Sequence, residues 1–168
     1  MAGRARAAFN PRRSAHRAGE AHMPVSIEDM LSNTSLFSRV DRDELHEIAG
    51  WVQIQNYVAG QVIDREGDLG TSLHIIRSGS VDVYQAYGSD DQTMLASFGE
   101  GDFFGEMALL LGRPRSATVV AKESTECLQI LRAAFAENAT ATVLWAMLQH
   151  VAERLAHADE TIGEMHSH

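Results

Sequence analysis

The residues best suited to chemistry lie in one stretch, Phe104-Gly105-Glu106-Met107-Ala108-Leu109-Leu110-Leu111-Gly112-Arg113-Pro114-Arg115-Ser116-Ala117-Thr118-Val119. Gly105 lets the backbone turn tightly as a strand feeds a short helix spanning Gly105 to Leu111. The start of that helix offers unpaired amide N–H groups and a positive dipole end, a setting suited to one phosphate. Gly112 ends the helix and Pro114 stiffens the return. Arg115 comes just before a β-type run, Ala117 to Ala121, so its side chain can point back to the same place. A planar guanidinium pairs two phosphate oxygens at once, and Glu106 is an acceptor for sugar hydroxyls. The pattern is that of sugar-phosphate recognition.

The flanking elements must position this stretch. From Ser26 to Ala49 the pattern is helical, with Ser26 as an N-cap before Ile27-Glu28-Asp29 and a capping box at Asp41 and Glu44. Two short helices joined near Leu36-Phe37 are expected. From Trp51 to Leu131, short β-branched and aromatic runs are broken by glycines from Gly60 to Gly112. Alternation appears at Leu73-His74-Ile75 and Val81-Asp82-Val83, and Gly88-Ser89-Asp90-Asp91 marks a turn. Many short strands with regular turns predict a sandwich, barrel or jelly roll. From about Ala133 the glycines nearly vanish and the helical period returns. Leu144, Leu148, Val151, Leu155, Ala158, Ile162 and Met165 form an a/d seam. Its first half, Leu144 to Val151, is expected to pack on the chain's own strands, and the second half extends further than one small roll can cover.

Bulk composition narrows the classes. The 168 residues suit one domain with a core, 45% hydrophobic and 22% charged. Residues 1–22 carry Arg4, Arg6, Arg12, Arg13 and Arg17 against Glu20, so the formal charge of −9 leaves the remainder strongly acidic. That stretch reads as a disordered basic tail or an expression remnant, with Met23 an alternative start. An acidic body repels nucleic acid, and no apolar run reaches membrane-spanning length. Cys127 stands alone in a strand-like run and reads as a small core residue. A reducing, cytoplasmic setting is expected. The eight histidines are scattered, without the clustering a metal-dependent cupin enzyme needs. His74 reads as a packed or half-exposed strand histidine, and His166-Ser167-His168 as frayed chain.

Phe104 to Val119 resembles the phosphate-binding cassette of the cyclic-nucleotide-binding domain family. That family includes regulatory subunits of cAMP-dependent kinase, nucleotide-gated channels and bacterial catabolite activators. Gly60-Gln61-Val62-Ile63, Glu66-Gly67-Asp68 and Leu73 through Val83 with Gly79 resemble the family's strand and turn pattern, and the likeness covers roughly residues 30–160. The resemblance implies an α+β fold, an eight-stranded β-roll of jelly-roll type with one inserted helix between N- and C-terminal helices. It implies a binding module rather than an enzyme, with cAMP as ligand and cGMP as the alternative, and no metal. Glu106 would hold the ribose 2′-hydroxyl and Arg115 the cyclic phosphate, with Gly105, Met107, Ala108, Ser116 and Ala117 lining the cradle. Amides near Ala108 and Ser116, and the Ser116 hydroxyl, would complete it. Arg154, Leu155 and Asp159 are candidates for base contacts. The C-terminal seam resembles the dimerising helix of the catabolite activators, which implies a homodimer. With no helix-turn-helix before His168, the expected effector is a partner protein reached in trans. A structural or interaction module with a vestigial pocket is the rival reading.

Overall fold

The computed structural model describes residues 25–166, with the side chains of Ala108 and residues 161–166 excepted. The basic stretch 1–22, Met23, the Ile162 and Met165 end of the seam, and the histidine tail lie outside the described residues and side chains.

Helix α1 (Ile27–Asn33) begins as its sequence dictates: the Ser26 hydroxyl accepts from the Asp29 N–H at 3.1 Å. A single 3-10 turn, Ser35–Phe37, leads to α2 (Arg42–Ala49). Asp41 caps α2, accepting from the Glu44 N–H at 2.9 Å. The Glu44 carboxylate instead accepts from the Thr140 hydroxyl at 2.7 Å. The expected capping box is therefore half formed, and its other half ties α2 to the C-terminal helices.

Eight strands follow: β1 (Val52–Tyr57), β2 (Val62–Asp64), β3 (Ser72–Ser78), β4 (Ser80–Gln85), β5 (Thr93–Gly99), β6 (Phe103–Phe104), β7 (Thr118–Ala121) and β8 (Thr125–Leu131). Helix α3 (Glu106–Leu111) is inserted between β6 and β7, and α4 (Arg132–Asn138) and α5 (Ala141–His166) close the chain. The strands form two antiparallel four-stranded sheets, ordered β1-β8-β3-β6 and β2-β7-β4-β5. This is the expected β-roll. Gly79 makes the reversal from β3 to β4 at φ +88°, where an added Cβ would lie 2.8 Å from the Thr125 Cα.

Two apolar clusters hold the fold. Ile76, Val81, Phe104, Val119 and Cys127 fill the space between the sheets. Leu31, Phe37, Ile48, Phe135, Val143 and Met147 pack the helices onto Leu73, Ile75, Leu128 and Ile130 of β3 and β8. Cys127 is fully buried, and burial pushes its thiol pKa up to about 12, which keeps it protonated and unreactive.

The start of α5 departs from expectation. Val143, Ala146 and Met147 face the core, whereas Leu144 and Leu148 are 46% and 56% exposed. The inward stripe is offset by about one residue, some 100° around the helix, from the heptad seam. The seam therefore does not pack on the roll through Leu144 and Leu148; Val151 is only half-buried and Leu155 is exposed.

Candidate functional site

Strand β6 pairs with β3 through His74 opposite Phe104, which delivers Gly105 to the rim of the roll. Gly105 sits at φ +87°, and an added Cβ there would strike Arg115 Nη1 and lie 2.8 Å from the Ser72 carbonyl oxygen, so both the turn and the close approach call for glycine. The chain then enters α3, and the return loop lays Arg115 against the same spot. The loop is fastened by backbone bonds from Arg115 N–H to the Asp68 carbonyl at 2.7 Å and from Gly67 N–H to the Arg115 carbonyl at 2.8 Å. Gly67 and Asp68 belong to the turn already legible in the sequence, so that turn positions the cation.

Together these elements wall a cavity of about 590 Å³. Gly105, Glu106, Met107, Arg115, Ser116 and Ala117 all line it, within one β-sheet-backed bowl that also includes Val83, Phe98, Phe104 and Val119. Its size suits a small ligand. Of the candidates for base contacts, Arg154 lines the cavity, whereas Leu155 and Asp159 are exposed and are not part of its wall. Nothing is described of the Ala108 side chain.

The floor of the cavity is Arg115, whose side chain is only 8% exposed. Nη2 donates to the Ser72 carbonyl at 2.7 Å and to its hydroxyl at 3.4 Å, and Nη1 donates to the Gly105 carbonyl at 3.4 Å. Asp64 of β2 lies 3.3 Å from Nη2 and is itself 10% exposed. Burial raises the Asp64 pKa and the adjacent guanidinium pulls it back down. Behind this pair, His74 Nδ1 is 3.8 Å from Asp64, too far for a hydrogen bond, and has no hydrogen-bond partner among the described residues. The ring stacks on Phe104 at 4.9 Å, and its Nε2 lies 3.4 Å from the Tyr57 hydroxyl. Burial, then the nearby Arg115 charge, lowers the His74 pKa to about 3, so the ring is neutral.

The roof comes from α5. Arg154 Nη1 donates to Glu106 Oε1 at 3.1 Å across the mouth of the cavity. Next to it, His150 makes an edge-on contact with Phe103 at 6.0 Å, and Arg39 pairs with Glu153. Thus the carboxylate best placed to accept a sugar hydroxyl is also the one gripped by the last helix.

Sequence reading missed Asp64, Ser72 and the role of His74. A β-bulge between Val62 and Asp64 breaks the alternation that would have assigned Asp64 a face. Among the described residues no group of three His, Cys, Asp or Glu side chains is gathered to hold a metal, and no helix is long and apolar enough to cross a membrane.

Comparison with known proteins agrees with this geometry. The family model for the cyclic nucleotide-binding domain matches residues 54–140. The chain is 35% identical over 96 residues to a cAMP-dependent protein kinase regulatory subunit of Dictyostelium discoideum, covering 57% of this chain and 29% of that protein. It is 35% identical over 102 residues to a cGMP-dependent protein kinase of Plasmodium berghei, covering 61% of this chain and 11% of that one. It thus spans less than a third of either relative. In structure it resembles the N-terminal domain of a transcriptional regulator from Streptomyces coelicolor, with TM-score 0.72 and 26% identity over 80% of this chain and 95% of that domain. With a cassette, a buried arginine and a two-sheet roll in place, this chain belongs to the cyclic nucleotide-binding domain family.

Proposed function

We propose that the chain is a non-catalytic sensor of cAMP, with cGMP as the alternative ligand. The observation that carries this reading is the convergence of Arg115 and Glu106 on one cavity of nucleotide size. Arg115 would pair with the cyclic phosphate, helped by amides near Ala108 and Ser116 and by the Ser116 hydroxyl. Glu106 would accept the ribose 2′-hydroxyl. Relatives named for dependence on cAMP and on cGMP both support a cyclic nucleotide, and they divide on the base.

Signalling would run through α5. The Arg154–Glu106 contact gives the ligand something to change: a ribose hydroxyl arriving at Glu106 competes for, or shares, the carboxylate that holds the helix. Only such a differential contact lets a ligand bias a two-state element. The helix would report to a partner protein, and a second copy of the chain is the proposed mate for the outward seam. Leu144, Leu148 and Leu155 are exposed by 46%, 56% and 62%, at the spacing a paired helix needs.

Titration with ribo and 2′-deoxy cyclic nucleotides tests the site. A half-buried carboxylate that loses a hydroxyl donor disfavours the deoxy ligand, by about fivefold to a hundredfold. Equal affinities would remove Glu106 from the ribose. Sedimentation tests the seam: Leu155→Asp should shift a dimer toward monomer with the roll still folded, and a wild-type monomer at high concentration would defeat the pairing.

A further inference from the structure

Three cations and three carboxylates line the cavity: Arg113, Arg115 and Arg154 against Asp64, Asp102 and Glu106. Arg113 and Arg154 are exposed, so solvent screens them. Arg115 is the buried cation of the wall, and Asp64 stands directly against it at 3.3 Å. Arg115 does not need Asp64 for direction. Its two terminal nitrogens are already aimed by the Ser72 and Gly105 carbonyls and the Ser72 hydroxyl. What Asp64 adds at this spot is charge.

We infer that Asp64 sets the charge selectivity of the site, favouring a singly charged cyclic phosphodiester over a doubly charged phosphomonoester. The inference rests on the nucleotide-binding reading above and deepens it. A cyclic phosphate brings one negative charge, which Arg115 can meet. A 5′-monophosphate brings nearly two at neutral pH. The second charge meets a guanidinium whose field Asp64 already offsets. Electrostatic energy is linear in ligand charge, so Asp64 opposes the monoester about twice as strongly as the diester on a logarithmic affinity scale. The other ionisable groups facing Asp64 do not cancel this. His74 from β3 is neutral, and Tyr57 from β1 and Cys127 from β8 have pKa values pushed up to about 12. Such a site would release the ring-opened hydrolysis product of its own ligand.

The test is calorimetric titration of the full chain with cAMP and with 5′-AMP at pH 8, for wild type, Asp64→Asn, Asp64→Ser and Asp64→Glu. Both neutral variants should bind cAMP roughly three- to tenfold more tightly and 5′-AMP roughly ten- to a hundredfold more tightly. The preference for cAMP then narrows by roughly three- to tenfold. Asp64→Glu, which restores the charge, should keep the wild-type ratio. In wild type alone, independent of any variant's folding, the singly charged methyl ester of 5′-AMP should bind more tightly than 5′-AMP. An unchanged ratio in folded neutral variants, loss of their cAMP binding, or weaker binding of the methyl ester overturns the inference. Wild type that binds cAMP with an unmoved ratio overturns this inference alone. Wild type that binds no cyclic nucleotide overturns the sensor reading as well.

Discussion

The cavity is bounded by two arginine–carboxylate pairs of similar length and opposite character. At the floor, Arg115 and Asp64 are 3.3 Å apart and 8% and 10% exposed. At the roof, Arg154 and Glu106 are 3.1 Å apart, and they are 62% and 18% exposed. Burial makes the difference. A desolvated pair is costly to break and leaves an uncompensated charge behind. A pair with one member open to water lets that member exchange its partner for solvent at little cost. On the proposed reading, the floor would be the fixed receptor for the phosphate and the roof the part that a ligand rearranges, an anchor and a latch within a single cavity.

The largest effect should come from the floor. Arg115→Ala removes the buried cation and leaves the phosphate only neutral donors. Charge-assisted bonds are worth about 1.5–3 kcal/mol each, so affinity should fall ten- to a hundredfold or more. Calorimetry on a variant shown by circular dichroism to be folded reads this out. Unchanged affinity would dissolve the contrast between anchor and latch.

An intermediate effect concerns pH. His74 has its folded pKa lowered to about 3 against 6.5 in the unfolded chain. Between those values the unfolded state binds the extra proton, so stability falls as pH drops below about 6.5. At pH 5 that contribution is about 2 kcal/mol. Asp64 has a raised pKa and works in the opposite sense, since its burial favours the folded state as it takes up a proton. The clean reading is a difference: His74→Phe should flatten the acid limb of denaturant-measured stability relative to wild type. Parallel limbs would mean that the histidine already takes up its proton in the folded state.

The smallest effect should come from the roof. Arg154→Ala should change the stability of the ligand-free protein by less than about 1 kcal/mol, and less still in high salt. A stability loss of several kcal/mol would show that α5 is a structural strut, not a latch.

The same division explains what the sequence disclosed. The cassette from Phe104 to Val119 is contiguous, so local reading reached Glu106, Arg115 and the turn at Gly105. The N-caps at Ser26 and Asp41 were equally local. The floor's partners were not. Ser72, His74 and Asp64 come from β2 and β3, and they meet Arg115 only through sheet pairing and the bulge before Asp64. His74 read as a packed or half-exposed histidine and is packed, 2% exposed, but nothing local placed it behind Arg115 and Asp64. On α5 the heptad period identified a helix with an apolar face. It did not reveal that a second stripe, Val143 to Met147, would take the core and turn Leu144 and Leu148 outward. Two apolar stripes one residue apart compete for the same surface, and tertiary packing decides between them.

The most direct test of the central claim is calorimetric titration of the folded wild-type chain with cAMP and cGMP in turn. The account predicts saturable binding of one nucleotide per chain for at least one of them, abolished or greatly weakened by Arg115→Ala. No binding heat or displacement with either nucleotide would contradict it, leaving the cavity a vestige of its fold.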